Sequence, residues 1–184
     1  NMYLVASARA CRTLEADQDT FSAAVRGPRA TMTRAMGSPP MLSKDDPEHA
    51  EERRVVNPAL RPANLRTTWR SAFERNARTH LTTLRERGPE DADVNRDYAA
   101  PVAAQNLIDI LGFRGVSVSV MQQWSHALVS GISNLTDDAD TWTRNDEARE
   151  AIRALLDDLI PYYRSHPDGS IVSAFVASEL TRSQ

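Results

Sequence analysis

The chain has 184 residues, of which 41% are hydrophobic and 26% charged, and its formal net charge is −3. These values are typical of a globular protein that buries a core, and the acidic balance argues against a general nucleic-acid binder. No apolar run approaches the roughly 20 residues that cross a bilayer, and no secretion signal opens the chain. The sequence therefore predicts a cytoplasmic protein without a membrane partner. The single cysteine, Cys11, excludes an internal disulfide, and we expect it to be a small buried side chain.

The first 44 residues combine one short strand, one short helix and a long irregular stretch. Residues 2–6 are apolar and predict a strand, and Ser7 is suited to cap a helix that runs to about Asp17. Residues 22–44 contain three prolines and two glycines, which interrupt regular structure. A structureless loop longer than about 15 residues inside a compact domain is functional or disordered. Apolar side chains in this loop indicate packing against an apolar surface: Met32, Met36, Met41 and Leu42.

A helix is predicted to begin at Asp46, whose carboxylate is a natural N-cap, with Pro47 at the first helical position. It should end near Asn57, because the residue before a proline avoids the helical region. His49 and Arg53 lie one turn apart on this helix. Two nitrogen-rich side chains near the positive end of a helix are suited to an anion such as a carboxylate or phosphate. The alternative is a solvated pair among neighbouring glutamates.

Apolar side chains recur every three or four residues in the rest of the chain and predict five more helices. These run from Pro62 to a stop at Gly88-Pro89, over Pro101–Leu111, over about Ser119–Ser130, over Asn145–Tyr163 and over Ile171–Leu180. Asn145 is the predicted cap of the fourth, and Pro161 should kink or end it. Residues 89–98 predict a surface connection with one short strand around Val94, and residues 131–144 predict a loop. The fold class is mainly α, with minor short β-strands.

Local catalytic signatures are missing. The sequence has no Gly-x-Gly-x-x-Gly segment, no P-loop and no Gly-x-Ser-x-Gly elbow, and its four histidines form no ligand pair on one helix. A ligand-sensing regulator would begin with a helix-turn-helix and a basic face, and residues 1–20 show neither. The residues alone therefore predict half of a binding site, formed by an apolar loop and a helix that is suited to an anion.

The segment around this helix resembles the C helix of bacterial cytochromes P-450, most closely those of the actinobacterial branch. The residues that carry the resemblance are Asp46-Pro47-Glu48-His49-Ala50-Glu51-Glu52-Arg53-Arg54 and Asn57-Pro58-Ala59-Leu60. Four further segments resemble the same family in the same order, namely Thr20-Phe21-Ser22, Pro101–Gly112, residues 124–128 and residues 163–174. The resemblance implies that residues 1–184 form a partial cytochrome P-450 domain.

The resemblance implies a heme b held by a cysteine thiolate, activation of O2, and electrons from a ferredoxin or reductase. The implied reaction is hydroxylation or O-demethylation of a small apolar or aromatic substrate. His49 and Arg53 match the family pair that binds a heme propionate. Met41 and Leu42 match loop positions that border the substrate, and Val129 and Ile132 lie where the F helix covers the pocket.

Several parts of the family pattern are absent from these residues. The proline-rich start, the I helix, the Glu-x-x-Arg helix and the cysteine-containing heme loop do not occur, and Cys11 lacks the flanking residues of that loop. We therefore expect no catalytic residue and no iron ligand in this segment. It should be an inactive part of a larger enzyme. The alternative is a helical module derived from the same fold that binds a ligand or partner without heme.

Overall fold

The computed structural model describes residues 4–25, 27 and 30–178, and these form helices and connections without any strand. The α-helices are α1 (Ala8–Ala16), α2 (Thr31–Met36), α3 (Glu48–Leu60), α4 (Pro62–Asn64), α5 (Arg70–Asp91), α6 (Ala100–Leu111), α7 (Val118–Ile132), α8 (Ala139–Ser165) and α9 (Ile171–Ala177). A 3₁₀ turn at Met41–Ser43 precedes α3, and π-helical turns at Leu65–Trp69 and Asn95–Ala99 lead into α5 and α6. None of the described helices combines the length and hydrophobicity of a bilayer span.

The mainly α prediction is confirmed, whereas the predicted strands are not found in the described residues. Residues 4–6 are irregular, and residues 2 and 3 of that predicted strand lie outside the described part. Val94 is helical, because the chain turns there into the π-helical segment that precedes α6. The last predicted helix is found as α9, and its predicted final residues 179 and 180 also lie outside the described part.

Helix α3 begins one residue later than predicted, with Pro47 as its N-cap and Glu48 as its first residue, and it also continues further. The Asp46 carboxylate accepts a hydrogen bond from the backbone N–H of Ala50 at 3.1 Å. The helix passes through Pro58 to Leu60 instead of ending near Asn57. A proline in the last turn removes only its own N–H, so one hydrogen bond to the preceding turn is lost and the helix is not broken.

Helix α8 begins earlier than predicted, because Asp138 and not Asn145 is its N-cap. The Asp138 carboxylate accepts from the backbone N–H of Thr141 at 2.8 Å. Asn145 lies in the interior of the helix and is completely buried. Pro161 does not end the helix, which continues to Ser165.

The main core lies between α6, α7, α8 and α9. Its fully buried members are Ala104, Ile108, Phe113, Met121, Leu159, Tyr163 and Val172. Tyr163 is 2% exposed, and its hydroxyl donates to the carbonyl oxygen of Gly112 at 2.7 Å. Burial raises the pKa of Tyr163 above its ordinary value. The start of α5 joins α3 through Trp69, whose indole donates to the carbonyl oxygen of Ala59 at 3.1 Å.

A buried carboxylate lies in the segment that was predicted to be a surface connection. Asp97 accepts a hydrogen bond from the backbone N–H of Asp93 at 2.9 Å. Its carboxylate also lies 2.7 Å from the guanidinium of Arg96 and 3.1 Å from that of Arg87 on α5. These contacts, with Arg96 contributing most, hold the pKa of Asp97 well below its usual range.

Acid should therefore remove a stabilising contribution of Asp97. A carboxyl with a lowered pKa contributes fully above the ordinary Asp pKa of about 3.9, and this contribution is lost as pH falls towards its own pKa. We expect Asp97→Asn to lower the thermal unfolding midpoint at neutral pH, and the difference from the wild type to shrink in acid. Thermal unfolding at a series of pH values checks this. Asp91→Asn is the control, and equal pH profiles for the two variants would contradict the prediction.

Candidate functional site

The first turns of α3 carry the predicted anion-binding pair. His49 is half-buried and its Nδ1 lies 3.4 Å from Oδ1 of Asp46. Arg53 follows one helical turn later and is exposed. Residues four apart on a helix share a face, so both side chains project from the same side of α3. The structure thus retains the arrangement that the spacing predicts.

A groove of about 360 Å³ opens between α1 and the start of α3. His49 and Leu42, two of the predicted site residues, both line it. Leu14 and Phe21 add apolar surface, and the polar lining includes Glu15, Lys44, Asp45 and Asp46. The groove therefore places an apolar wall beside a nitrogen-bearing side chain.

The acidic residues at the groove are engaged in local hydrogen bonds. Asp45 accepts from the hydroxyl of Ser22 and from the backbone N–H of Ala23, the latter at 2.9 Å. The Asp46 carboxylate accepts from the backbone N–H of Ala50 in the first turn of α3. Asp45 thus fastens the chain that follows α1 to the residues just before α3, and this shapes the groove.

The other predicted pocket residues lie away from this groove's lining. Met41 is half-buried in the 3₁₀ turn, next to Leu42. On α7, Val129 is 60% exposed and Ile132 is half-buried. The structure brings Leu42 and His49 together in one groove, and the α7 pair is not part of that groove's lining.

Sequence reasoning missed the contacts that hold α2, because they join residues more than 100 positions apart. A guanidinium nitrogen of Arg34 lies 2.7 Å from Asp137, and the group stacks 3.8 Å from the ring centre of Trp142. The indole of Trp142 donates to the same carboxylate at 2.6 Å. These hydrogen bonds, that from Trp142 foremost, lower the pKa of Asp137. The loop predicted to be irregular thus contains a helix anchored to the α7–α8 connection.

The described residues include side chains that would suit the carboxylates of a heme, but none that would suit its iron. His49, with Arg53 one turn later, would suit a carboxylate at the edge of an apolar group, since Leu14, Phe21 and Leu42 contribute apolar surface to the groove at His49. Cys11 does not line the groove, and its Sγ lies 3.8 Å from the carbonyl oxygen of Val5, so it is not placed to ligate the iron of a heme bound there. Among the described side chains, no group of three or more His, Cys, Asp or Glu could hold a metal ion.

Comparison with known proteins identifies relatives of known class. No family model matches the sequence. The steroid C26-monooxygenase of Mycolicibacterium smegmatis is 30% identical over 154 residues, which cover 78% of this chain and 35% of that protein. The putative cytochrome P450 YjiB of Bacillus subtilis is 24% identical over 143 residues, which cover 77% and 35%. The chain thus spans about a third of the length of these relatives.

Solved structures share the fold. P450BioI, in complex with an acyl carrier protein ligated to hexadec-9Z-enoic acid, superposes with a TM-score of 0.67 at 20% identity. The match covers 84% of this chain and 39% of P450BioI. The cytochrome P450 PksS of Bacillus subtilis superposes with a TM-score of 0.63 at 19% identity, covering 86% and 37%. At these identities the likeness shows the fold alone.

Proposed function

Because this chain belongs to the cytochrome P450 family, we propose that it is part of a heme-dependent monooxygenase. The family's cofactor is heme, which is consistent with heme b in the complete protein. Bound heme would supply the activation of O2, with one oxygen atom entering the substrate and the other leaving as water, and with electrons from a ferredoxin or reductase. In this proposal, the described segment supplies contacts to the heme carboxylates and part of the substrate pocket.

The observation that carries the proposal is the position of His49 in a groove that is also lined by Leu14, Phe21 and Leu42, with Arg53 one helical turn further along α3. A heme has an apolar ring and two carboxylates at one edge, so its site requires both kinds of surface. The start of α3 supplies a partial positive charge and two nitrogen-bearing side chains. Leu14, Phe21 and Leu42 supply the apolar surface. His49 and Arg53 also match the family positions that bind a propionate.

The proposed substrate is a small apolar or aromatic molecule that is hydroxylated or O-demethylated. Leu42 is 65% exposed at the groove, which leaves its apolar surface available for contact. Met41 in the adjacent turn, and Val129 and Ile132 on α7, are the other proposed pocket residues. One relative is named a steroid C26-monooxygenase, and this name also supports an apolar substrate.

We predict that His49→Ala and Arg53→Ala each accelerate the loss of heme from the complete protein. A hydrogen bond to a charged group contributes about 1.5–3 kcal/mol, and the exposure of Arg53 places its effect at the lower end. The expected acceleration is about tenfold for each variant, since about 1.4 kcal/mol corresponds to a factor of ten. Transfer of heme to an excess of a heme-scavenging globin measures this rate.

Arg54→Ala is the matched control, because Arg54 has the same charge and follows Arg53 directly, but it lies on a different face of α3. It should leave the rate of heme loss nearly unchanged. Equal acceleration by all three variants would assign the effect to net charge and contradict the proposed contacts. A carbonyl complex of the reduced complete protein should show the red-shifted Soret band of thiolate ligation. A complete protein that retains no heme would favour the heme-free helical module instead.

A further inference from the structure

An ion pair with two largely buried partners lies beside the groove. Nζ of Lys44 contacts the carboxylate of Glu52, and the two side chains are 11% and 14% exposed. Every other ion pair of the described residues has at least one partner that is about half exposed or more, including Arg70 with Glu74 on α5 and the arginine partners of Asp97. Removing water from two charges is costly, and either charge alone at such a place would be left without compensation. The pair therefore favours the one arrangement of the chain in which Lys44 and Glu52 remain in contact.

The two partners belong to the two walls that form the predicted site. Lys44 directly follows the 3₁₀ turn that carries Leu42, and it lines the groove itself. Glu52 lies on α3 between His49 and Arg53. The ion pair thus joins the turn with the apolar side chain to the helix with the anion-binding side chains.

A second contact holds the same turn from its other side. Ser43, between Leu42 and Lys44, is buried, and its hydroxyl lies 3.4 Å from the sulfur of Met32 in α2. The turn is therefore fixed to α2 by a weak sulfur contact and to α3 by a charged pair. Of the two, the charged pair is the stronger.

We propose that Lys44 and Glu52 are positioning residues, which hold the Leu42 turn against α3 so that Leu42 and His49 face one ligand. This inference rests on the proposed function, because the ligand is the heme and its substrate. Lys44 acts through the turn and not as a further contact of the anion, since its ammonium is already engaged by Glu52.

The test uses Lys44→Met, Glu52→Gln and the reversed pair Lys44→Glu/Glu52→Lys in the complete protein. We expect each single variant to accelerate heme loss about tenfold, as supporting residues around a cofactor site commonly do, and the reversed pair to restore much of the retention. Hydrogen exchange should quicken at the amides of residues 41–46 in the single variants and not along α5. Asp97→Asn, which should lower stability at a position outside the groove's lining, should leave heme loss nearly unchanged.

Several results would overturn the inference. If Lys44→Met weakens heme retention but Glu52→Gln does not, Lys44 is a direct contact and not a positioning residue. If Asp97→Asn accelerates heme loss as much as the pair variants, the pair contributes only general stability. If exchange quickens at residues 41–46 while heme retention is unchanged, the pair orders the turn without positioning the site. Failure of the proposed function itself would appear separately, as unchanged heme loss in His49→Ala and Arg53→Ala.

Discussion

Gly112→Ala is expected to lower the free energy of unfolding by about 3 kcal/mol, the sum of backbone strain and overpacking. Gly112 ends α6 with a φ of +81°. A Cβ there would overlap Oγ of Ser170 and would lie 2.6 Å from the hydroxyl of Tyr163. Both neighbours are buried, so neither side chain can move into solvent. The thermal midpoint should fall by roughly 6–12 °C for a chain of this size.

Gly115→Ala is the matched control for Gly112→Ala. Gly115 has nearly the same φ, +78°, but a Cβ built on it meets no atom within 4 Å. It should therefore show the cost of the left-handed backbone alone, about 1–2 kcal/mol. Thermal or denaturant unfolding of both variants isolates the packing contribution as their difference. Equal losses would show that the close approach of Ser170 and Tyr163 is not a constraint.

Gly131→Ala is expected to cost about 2 kcal/mol through overpacking. A Cβ at this position would lie 2.5 Å from Nδ2 of Asn145 and 3.2 Å from Cβ of Ala35. Asn145 is completely buried, and its side chain makes one long hydrogen bond among the described residues, of 3.4 Å from Nδ2 to the carbonyl oxygen of Ala127. Its Oδ1 has no partner among the described residues. The close helix contact thus depends on a glycine and an incompletely bonded amide.

A double-mutant cycle tests this contact. Asn145→Ala removes the atoms that a Cβ at position 131 would meet, so it should cost much less in the Gly131→Ala background than alone. The expected interaction energy is about 1 kcal/mol or more, as for residues in direct contact. Chemical denaturation of the four proteins measures it. Strict additivity would contradict the prediction, and Gly169→Ala, where the nearest atom is 3.9 Å away, should be close to neutral.

Local signals predicted the position of α3, because its start and its face are defined by residues next to one another in the chain. The N-cap is Pro47, one residue later than predicted, although the Asp46 carboxylate accepts from the first turn. The four-residue spacing of His49 and Arg53 needs no tertiary information. Their role at a heme propionate stays a prediction that rests on the resemblance and on the groove beside them. The heme loss of the variants at these two positions will decide it.

Tertiary contacts explain what local signals could not predict. Asn145 has the chemistry of a cap, but the close approach of α7 at Gly131 places it in a helix interior. The observed cap is Asp138, seven residues earlier, in a segment that was predicted to be a loop. The short helix α2 depends on Arg34 reaching Asp137 and Trp142, and no pattern within residues 22–44 indicates that contact. Opposite charges at Lys44 and Glu52 were visible, but only the fold shows that both are shielded from water.

Helix α1 has a consequence for affinity. It buries none of its residues completely, yet Leu14 and Glu15 on it form one wall of the groove. Partial unfolding of a weakly packed element requires less free energy than unfolding of the core. Any molecule held between α1 and α3 is therefore thermodynamically linked to the folding of α1. Ligand at concentration [L] raises the local stability of α1 by RT ln(1 + [L]/Kd). The apparent affinity equals the intrinsic affinity multiplied by the fraction of molecules in which α1 is folded.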